Sequence, residues 1–314
     1  EESTPPLMPT ITRVFPFATM REQYKTMAMT GKARVGNSAA GGASVRASHL
    51  PLRLATAPEE QLFSAEIPMR CIARIILPVI FLISATSVFA GPPFLTDDPE
   101  PVDYKSWEAY LFATGDHTSG GAYAINGPAV ELNYGVLPDT QLHLVVPMTT
   151  VGGGGVPGVS GLGDTEFGVK YRFVHETNGW PQIGIFPMLE LPTGDSARGL
   201  GNGRTWFRLP LWIQKSFGDW TTYGGGGAAL NSAPGQRDYP FGGWLLQRDI
   251  GKHLTLGGEI FAQGAASDGD KGFGAVNLGG YYKCTEHFDL LFTGGHSFAG
   301  DEHTLWYFAF YWTW

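Results

Sequence analysis

Three observations predict an all-β fold for the 314-residue chain: a transmembrane antiparallel up-and-down β-barrel of about twelve strands behind an N-terminal extension. Segments of about ten residues alternate apolar and polar side chains, short connections interleave with long Gly-rich ones, and the last ten residues carry an aromatic stripe. Composition agrees, since 44 glycines, 13% aromatic and 16% charged residues favour short strands joined by many turns.

Residues 1–68 precede Met69 and show neither a helical nor a strand period, so they read as a disordered or misassigned upstream extension. Residues 69–90 read as a secretory signal peptide. Arg70 and Arg74 precede the apolar run from Ile75 to Ile83, and Val88-Phe89-Ala90 supplies a small-residue cleavage site after Ala90. A spanning helix needs about 20 apolar residues, and this run is shorter and contains Pro78. Cys71 lies ahead of the apolar run, not at the cleavage point, which argues against a lipid anchor.

Residues 91–103 hold four prolines and four acidic residues, a composition unsuited to a strand ladder. Two readings stand open: a plug entering the barrel lumen, or a disordered periplasmic leader. In the first, Asp97 and Asp98 would face a basic lumen residue such as Lys170 or Arg172.

The barrel itself is assigned to residues 104–314. From Glu166 to Phe173, Phe, Val, Tyr and Phe alternate without exception with Glu, Gly, Lys and Arg. Gln141 to Met148 and Lys252 to Gln263 repeat the pattern. Strands are predicted to start near Lys105, Tyr123, Thr140, Glu166, Pro181, Thr205, Asp219, Phe241, Lys252, Gly272, His287 and Thr304. Short turns are expected at Gly135–Asp139, Glu176–Trp180, Phe217–Trp220, Asp249–Lys252 and Thr285–His287. The remaining connections are expected to be long, as at Thr149–Asp164, Thr193–Arg204, Asn231–Pro240 and Ala265–Gly272. An even strand number returns both termini to one side.

In the final segment Trp306, Phe308, Phe310, Trp312 and Trp314 share one face, a stripe that a soluble protein would hardly expose. Phe308, Phe310, Trp312 and Trp314 resemble the C-terminal signal read by the outer-membrane insertion machinery. Trp107, Trp180, Trp220 and Tyr239 near strand ends fit interfacial girdles.

From Gly91 onward the chain has 12 basic and 23 acidic residues, a net of −11, with no basic face for nucleic acid. Cys284 is the one cysteine in that stretch, so stability there must come from strand closure. If the apolar faces meet lipid, Glu108, Glu131, Glu166, Lys170, Arg172, Glu190, Arg208, Glu259 and Lys283 project into the lumen as candidates for a polar constriction, or as ion pairs holding the strands in register. No cofactor is expected. Gly199 to Gly203 lacks the strand and helix of a dinucleotide site, Asp268-Gly-Asp270 has too few carboxylates for a calcium cage, and His143, His253 and His296 lack metal-ligand spacing.

The segment from Gly91 to Val102 followed by Trp107-Glu108, together with Gly161 to Phe173, Leu189 to Asp195 and Gly199 to Gly203, resembles the outer-membrane transporter family known as the MetA pathway of phenol degradation. The resemblance covers nearly all of 91–314. It implies a bacterial outer-membrane barrel that passes aromatic or poorly soluble small molecules, in contact with outer-membrane lipid and the insertion machinery, and it carries no catalytic motif. Two other classes stand beside it: a structural or adhesive barrel, and an outer-membrane lipase, for which Ser216 and Ser297 lack an obvious paired histidine.

Overall fold

The structure, a computed structural model, describes residues 92–314. The readings for 1–68, for the signal peptide and for cleavage after Ala90 lie outside the described residues. The chain runs through β1 (Trp107–Thr118), β2 (Ala122–Leu137), β3 (Thr140–Gly153), β4 (Val156–Leu162), β5 (Thr165–Val174), β6 (Gln182–Ile185) and β7 (Met188–Leu191). After a 3-10 turn at Ser196–Arg198 come β8 (Trp206–Phe217), β9 (Trp220–Leu230), β10 (Tyr239–Ile250), β11 (Leu254–Gln263), β12 (Phe273–Lys283), β13 (Phe288–Gly300) and β14 (His303–Thr313).

Every neighbouring pair is antiparallel, and β14 pairs with β1 from Thr313↔Glu108 to His303↔Thr118, closing the sheet. Twelve strands make the wall. The strand β6–β7 counts once, because it is interrupted at Phe186-Pro187 without a register change: Ile185 faces Tyr171 and Met188 faces Gly168 across the break. Pro187 has no N–H to give the ladder. The strand β4 is extra to the wall, a hairpin pairing with the far half of β3. All twelve predicted starts fall within two residues of the observed ones.

Both ends of the described chain lie at one rim, the terminal end; the opposite rim is the loop end. There the expectation of long connections fails twice. Residues 119–121 and 301–302 are tight turns, so the hairpins flanking the β14–β1 seam are short, and long loops crowd the other side. The connection predicted through Thr149–Asp164 is largely β3 and β4, because its Val and Ser residues pair with Met148 to Gly153.

Burial is inverted relative to a soluble sheet. Leu278 is 66% exposed and Ile260 60%, while Glu259, next to Ile260, is 1% exposed. Alternation along each strand therefore puts apolar side chains on the outer surface and polar ones inside, the arrangement lipid imposes. On β14, His303, Leu305, Tyr307, Ala309 and Tyr311 face inward; Phe308, Phe310 and Trp312 face outward and touch in sequence at 5.4 and 6.2 Å between ring centroids. Trp314 stacks on Trp107 at 6.4 Å across the seam. Trp107, Trp180 and Trp220 are exposed at the terminal end, but Tyr239 is buried facing inward, since it begins β10 one residue before the outward Pro240.

Candidate functional site

Residues 92–103 lie in the lumen. Lys170, buried on β5, reaches Asp97 at 3.1 Å and Asp98 at 3.6 Å. The carboxylate of Glu259 on β11 accepts the Leu95 N–H at 2.8 Å and the Thr96 N–H at 2.7 Å, while Asn277 on β12 donates to it at 2.6 Å. Thr293 on β13 donates to the Pro93 carbonyl at 2.7 Å, and the Val102 N–H donates to Gln141 at 2.9 Å. Glu100 takes hydrogen bonds from Gln182 and Gln214 and lies 3.7 Å from Arg172. Phe94 packs against Tyr223 and Leu245. Side chains from eight strands, β3, β5, β6, β8, β9, β10, β11 and β13, therefore hold one proline-rich segment that supplies few ladder donors of its own.

Asp98 is fully buried. Burial pushes its carboxyl well above the usual range; Lys170 opposes this, and the neighbouring Asp97 and Glu100 add to it. Asp139, in the β2–β3 turn at the terminal end, goes the other way. Its partial burial favours the neutral form, but the hydrogen bonds and charge of Arg172 at 2.8 Å, with His175 at 3.0 Å, hold the carboxyl below its ordinary value.

All nine predicted lumen residues are on the inward face. They divide into three groups. Lys170, Arg172 and Glu259 contact the lumen segment. Glu131, Glu166, Arg208 and Glu190 form a second group along β2, β5, β8 and β7, which His143 on β3 joins together. The His143 ring lies 2.9 Å from Glu166 on one nitrogen, and 2.8 Å from Asn133 and 3.4 Å from Glu131 on the other; Arg208 contacts Glu166 directly. A ring protonated on both nitrogens satisfies these acceptors. Glu108 stands apart near the seam, accepting from the Tyr311 hydroxyl at 2.8 Å, and Lys283 lies over the Tyr281 ring at 5.7 Å. His143 went unrecognised in the sequence as a partner of these charges; its inward position on a strand beside Gln141 was the available signal.

A different element packs on the inward residues at the loop end. Leu200, just after the 3-10 turn, is 1% exposed and packs with Ala124, Val151, Phe261, Phe273, Ala275 and Leu305; Leu95 of the lumen segment packs against the same cluster. The connection carrying Leu200 is fastened by Asp164, whose carboxylate accepts from the Gly194 and Asn202 amides at 2.9 and 2.6 Å. Gly201 sits so close to that carboxylate that a Cβ would fall 2.3 Å from it.

Among the described residues, Ser216 and Ser297 have no histidine base at their hydroxyls. Ser297 accepts from the His303 backbone N–H at 2.8 Å, while the His303 ring turns to Asp116 at 2.9 Å; His296 is exposed and meets Thr304. Ser216 is held by Glu176 through its own amide.

No family model matches the chain, and neither does any curated protein. Among solved structures, the COG4313 outer membrane channel from Pseudomonas putida F1 is similar over 69% of this chain and 98% of that one, with a TM-score of 0.58 and 15% sequence identity. At that identity the likeness establishes the fold alone. OmpT, an outer membrane protein of Vibrio cholerae, aligns over 71% of this chain and 100% of its own at 11% identity, but with a TM-score of 0.29 that carries no argument.

Proposed function

We propose that the chain is a bacterial outer-membrane channel for small, hydrophobic or aromatic molecules, held closed by its own segment 92–103 acting as a plug. The observation that carries this reading is the way the segment is held. Apart from Phe94 and Leu95, which pack on apolar side chains, its contacts with the wall are polar and run through Lys170, Glu259, Gln141, Gln182 and Gln214, groups that water can replace, while its backbone joins no strand ladder. A segment so attached can leave without unfolding the barrel. Twelve strands lie between eight-stranded barrels, which are packed solid or hold one ligand, and open porins of 16 to 18 strands, so removal of the plug would leave a narrow path. The similar fold of the Pseudomonas channel, the outward apolar band and the aromatic residues at the terminal end support the outer-membrane location. The resemblance to the phenol-degradation family supports the solute class.

The test is single-channel conductance of the refolded chain in a planar bilayer, with benzoate, phenol and a long-chain alcohol as blockers. Asp97→Ala with Asp98→Ala is expected to raise the open fraction, and an aromatic blocker to reduce the steps. Conductance and heat stability unchanged in the double variant would overturn the plug reading.

A further inference from the structure

We infer that the terminal end of the lumen contains a binding site for a small carboxylate, built from Arg172, Gln182 and Gln214 and filled in this structure by the chain's own Glu100. A short-chain organic acid reaching that end competes with Glu100 and releases the lumen segment. The release rests on the plug reading above; the binding site does not.

Three donors from three adjacent strands converge on one carboxylate. Glu100 Oε2 accepts from Gln182 Nε2 at 3.1 Å and from Gln214 Nε2 at 3.2 Å, and Glu100 Oε1 lies 3.7 Å from Arg172 Nη1. Gln182 on β6 and Gln214 on β8 are register partners, so their amides stand side by side. A guanidinium flanked by amide N–H groups matches the charge and the lone pairs of a carboxylate. The site is within reach of solvent, since the Glu100 side chain is 33% exposed and that of Arg172 19%.

The wall aims two of these donors without help from Glu100. Asp139 Oδ1 accepts from Arg172 Nε at 3.0 Å and from Nη2 at 2.8 Å, which fixes the plane of the guanidinium. Arg172 Nη1 then donates to Gln182 Oε1 at 3.0 Å, so the Gln182 amide keeps its oxygen on Arg172 and its NH2 toward Glu100. Gln214 supplies the need for an occupant. It is 1% exposed, its amide oxygen has no hydrogen-bond partner among the described residues, and its NH2 is made only by Glu100. When Glu100 leaves, that buried amide loses its one hydrogen bond, and an incoming carboxylate restores it.

Propionate is the Glu100 side chain cut free of its backbone, and propionamide is its neutral counterpart. Carbon-13 NMR of carboxyl-labelled propionate on the refolded full-length chain reads binding, and single-channel recording reads release. Glu100→Ala is expected to bind propionate ~tenfold more tightly than the wild type, because in the wild type the site is vacant only in the fraction of molecules whose Glu100 has left it. Adding Gln214→Leu is expected to abolish that gain. Heat-modifiable gel migration checks closure of each barrel; should Gln214→Leu fail that check, Gln182→Leu takes its place. In the wild type, propionate should raise open probability where propionamide and sodium chloride at equal ionic strength do not, and Glu100→Ala should be open more often and unresponsive to propionate. Equal affinity of the wild type and Glu100→Ala, or a wild-type gating response in that variant, would put the anion elsewhere, for instance on Lys170, and overturn the inference. A silent barrel whose Glu100→Ala variant binds propionate keeps the site and loses the plug, and a barrel that opens with Asp97→Ala and Asp98→Ala but binds no propionate does the reverse.

Discussion

Glu259→Gln isolates the grip of the wall on the lumen segment. The native carboxylate holds the Leu95 and Thr96 amides on separate oxygens, and Asn277 shares the oxygen that serves Leu95. In the isosteric amide, the remaining oxygen can keep Leu95 and Asn277, but the new NH2 then faces the Thr96 N–H, donor against donor. One charge-assisted hydrogen bond is lost, and an amide on a residue with 0% exposure is left unmade. Such a change costs about 2–3 kcal/mol. All of that falls on the docked state, because in the released state water serves both groups. The ratio of released to docked segment should therefore rise about 30- to 150-fold. Single-channel recording reads this as open probability, and heat-modifiable migration shows whether the barrel is intact. An intact Glu259→Gln barrel with wild-type open probability would refute the reasoning, since it would mean either that the segment does not gate the lumen or that these two hydrogen bonds do not hold it.

Three further expectations follow from the same geometry. Because burial raises the Asp98 carboxyl despite Lys170, and Asp97 and Glu100 push the same way, the docked segment holds its proton more tightly than the free one. Docking is then favoured at low pH and weakens as pH rises above the ordinary carboxylate value of about 4. Open probability should climb with pH in that range, Asp98→Asn should flatten the climb, and an identical slope in the variant would remove Asp98 as its source. Gly243 faces the lumen where a Cβ would fall 2.1 Å from the Thr96 hydroxyl oxygen and 3.0 Å from Phe261, so Gly243→Ala should loosen the segment and raise open probability in an intact barrel; recordings like those of the wild type would show that Thr96 simply rotates away. Exposed Cys284 lies in the turn between β12 and β13 at the terminal end, opposite the loop carrying Asp268. With the long loops facing the cell exterior and the termini the periplasm, a bulky maleimide on intact cells should label Asp268→Cys in a Cys284→Ser background and spare native Cys284; the reverse pattern would invert that orientation.

Period-two alternation is a property of single strands, so the strands, their ends and their inward residues were legible along the chain. Glu166 to Phe173 needed no partner to show which side chains face the lumen. The tight turns at 119–121 and 301–302 were less so, because glycines at 120 and 121 look alike in a turn and in a loop. Which charges meet was not legible at all. His143, Glu131, Glu166 and Arg208 come from four strands, and their heights in the wall depend on the stagger of every pairing between them.

By itself, the sequence determined that this chain alternates into about twelve strands with apolar residues on one face and charges on the other, since those choices rest on local period and side-chain chemistry. Only the tertiary structure decided that segment 92–103 sits inside the barrel and that Leu200 packs on inward residues of the wall. Both depend on bringing together residues more than a hundred positions apart, such as Leu95 and Glu259 or Leu200 and Leu305, and that proximity exists only once the sheet has closed.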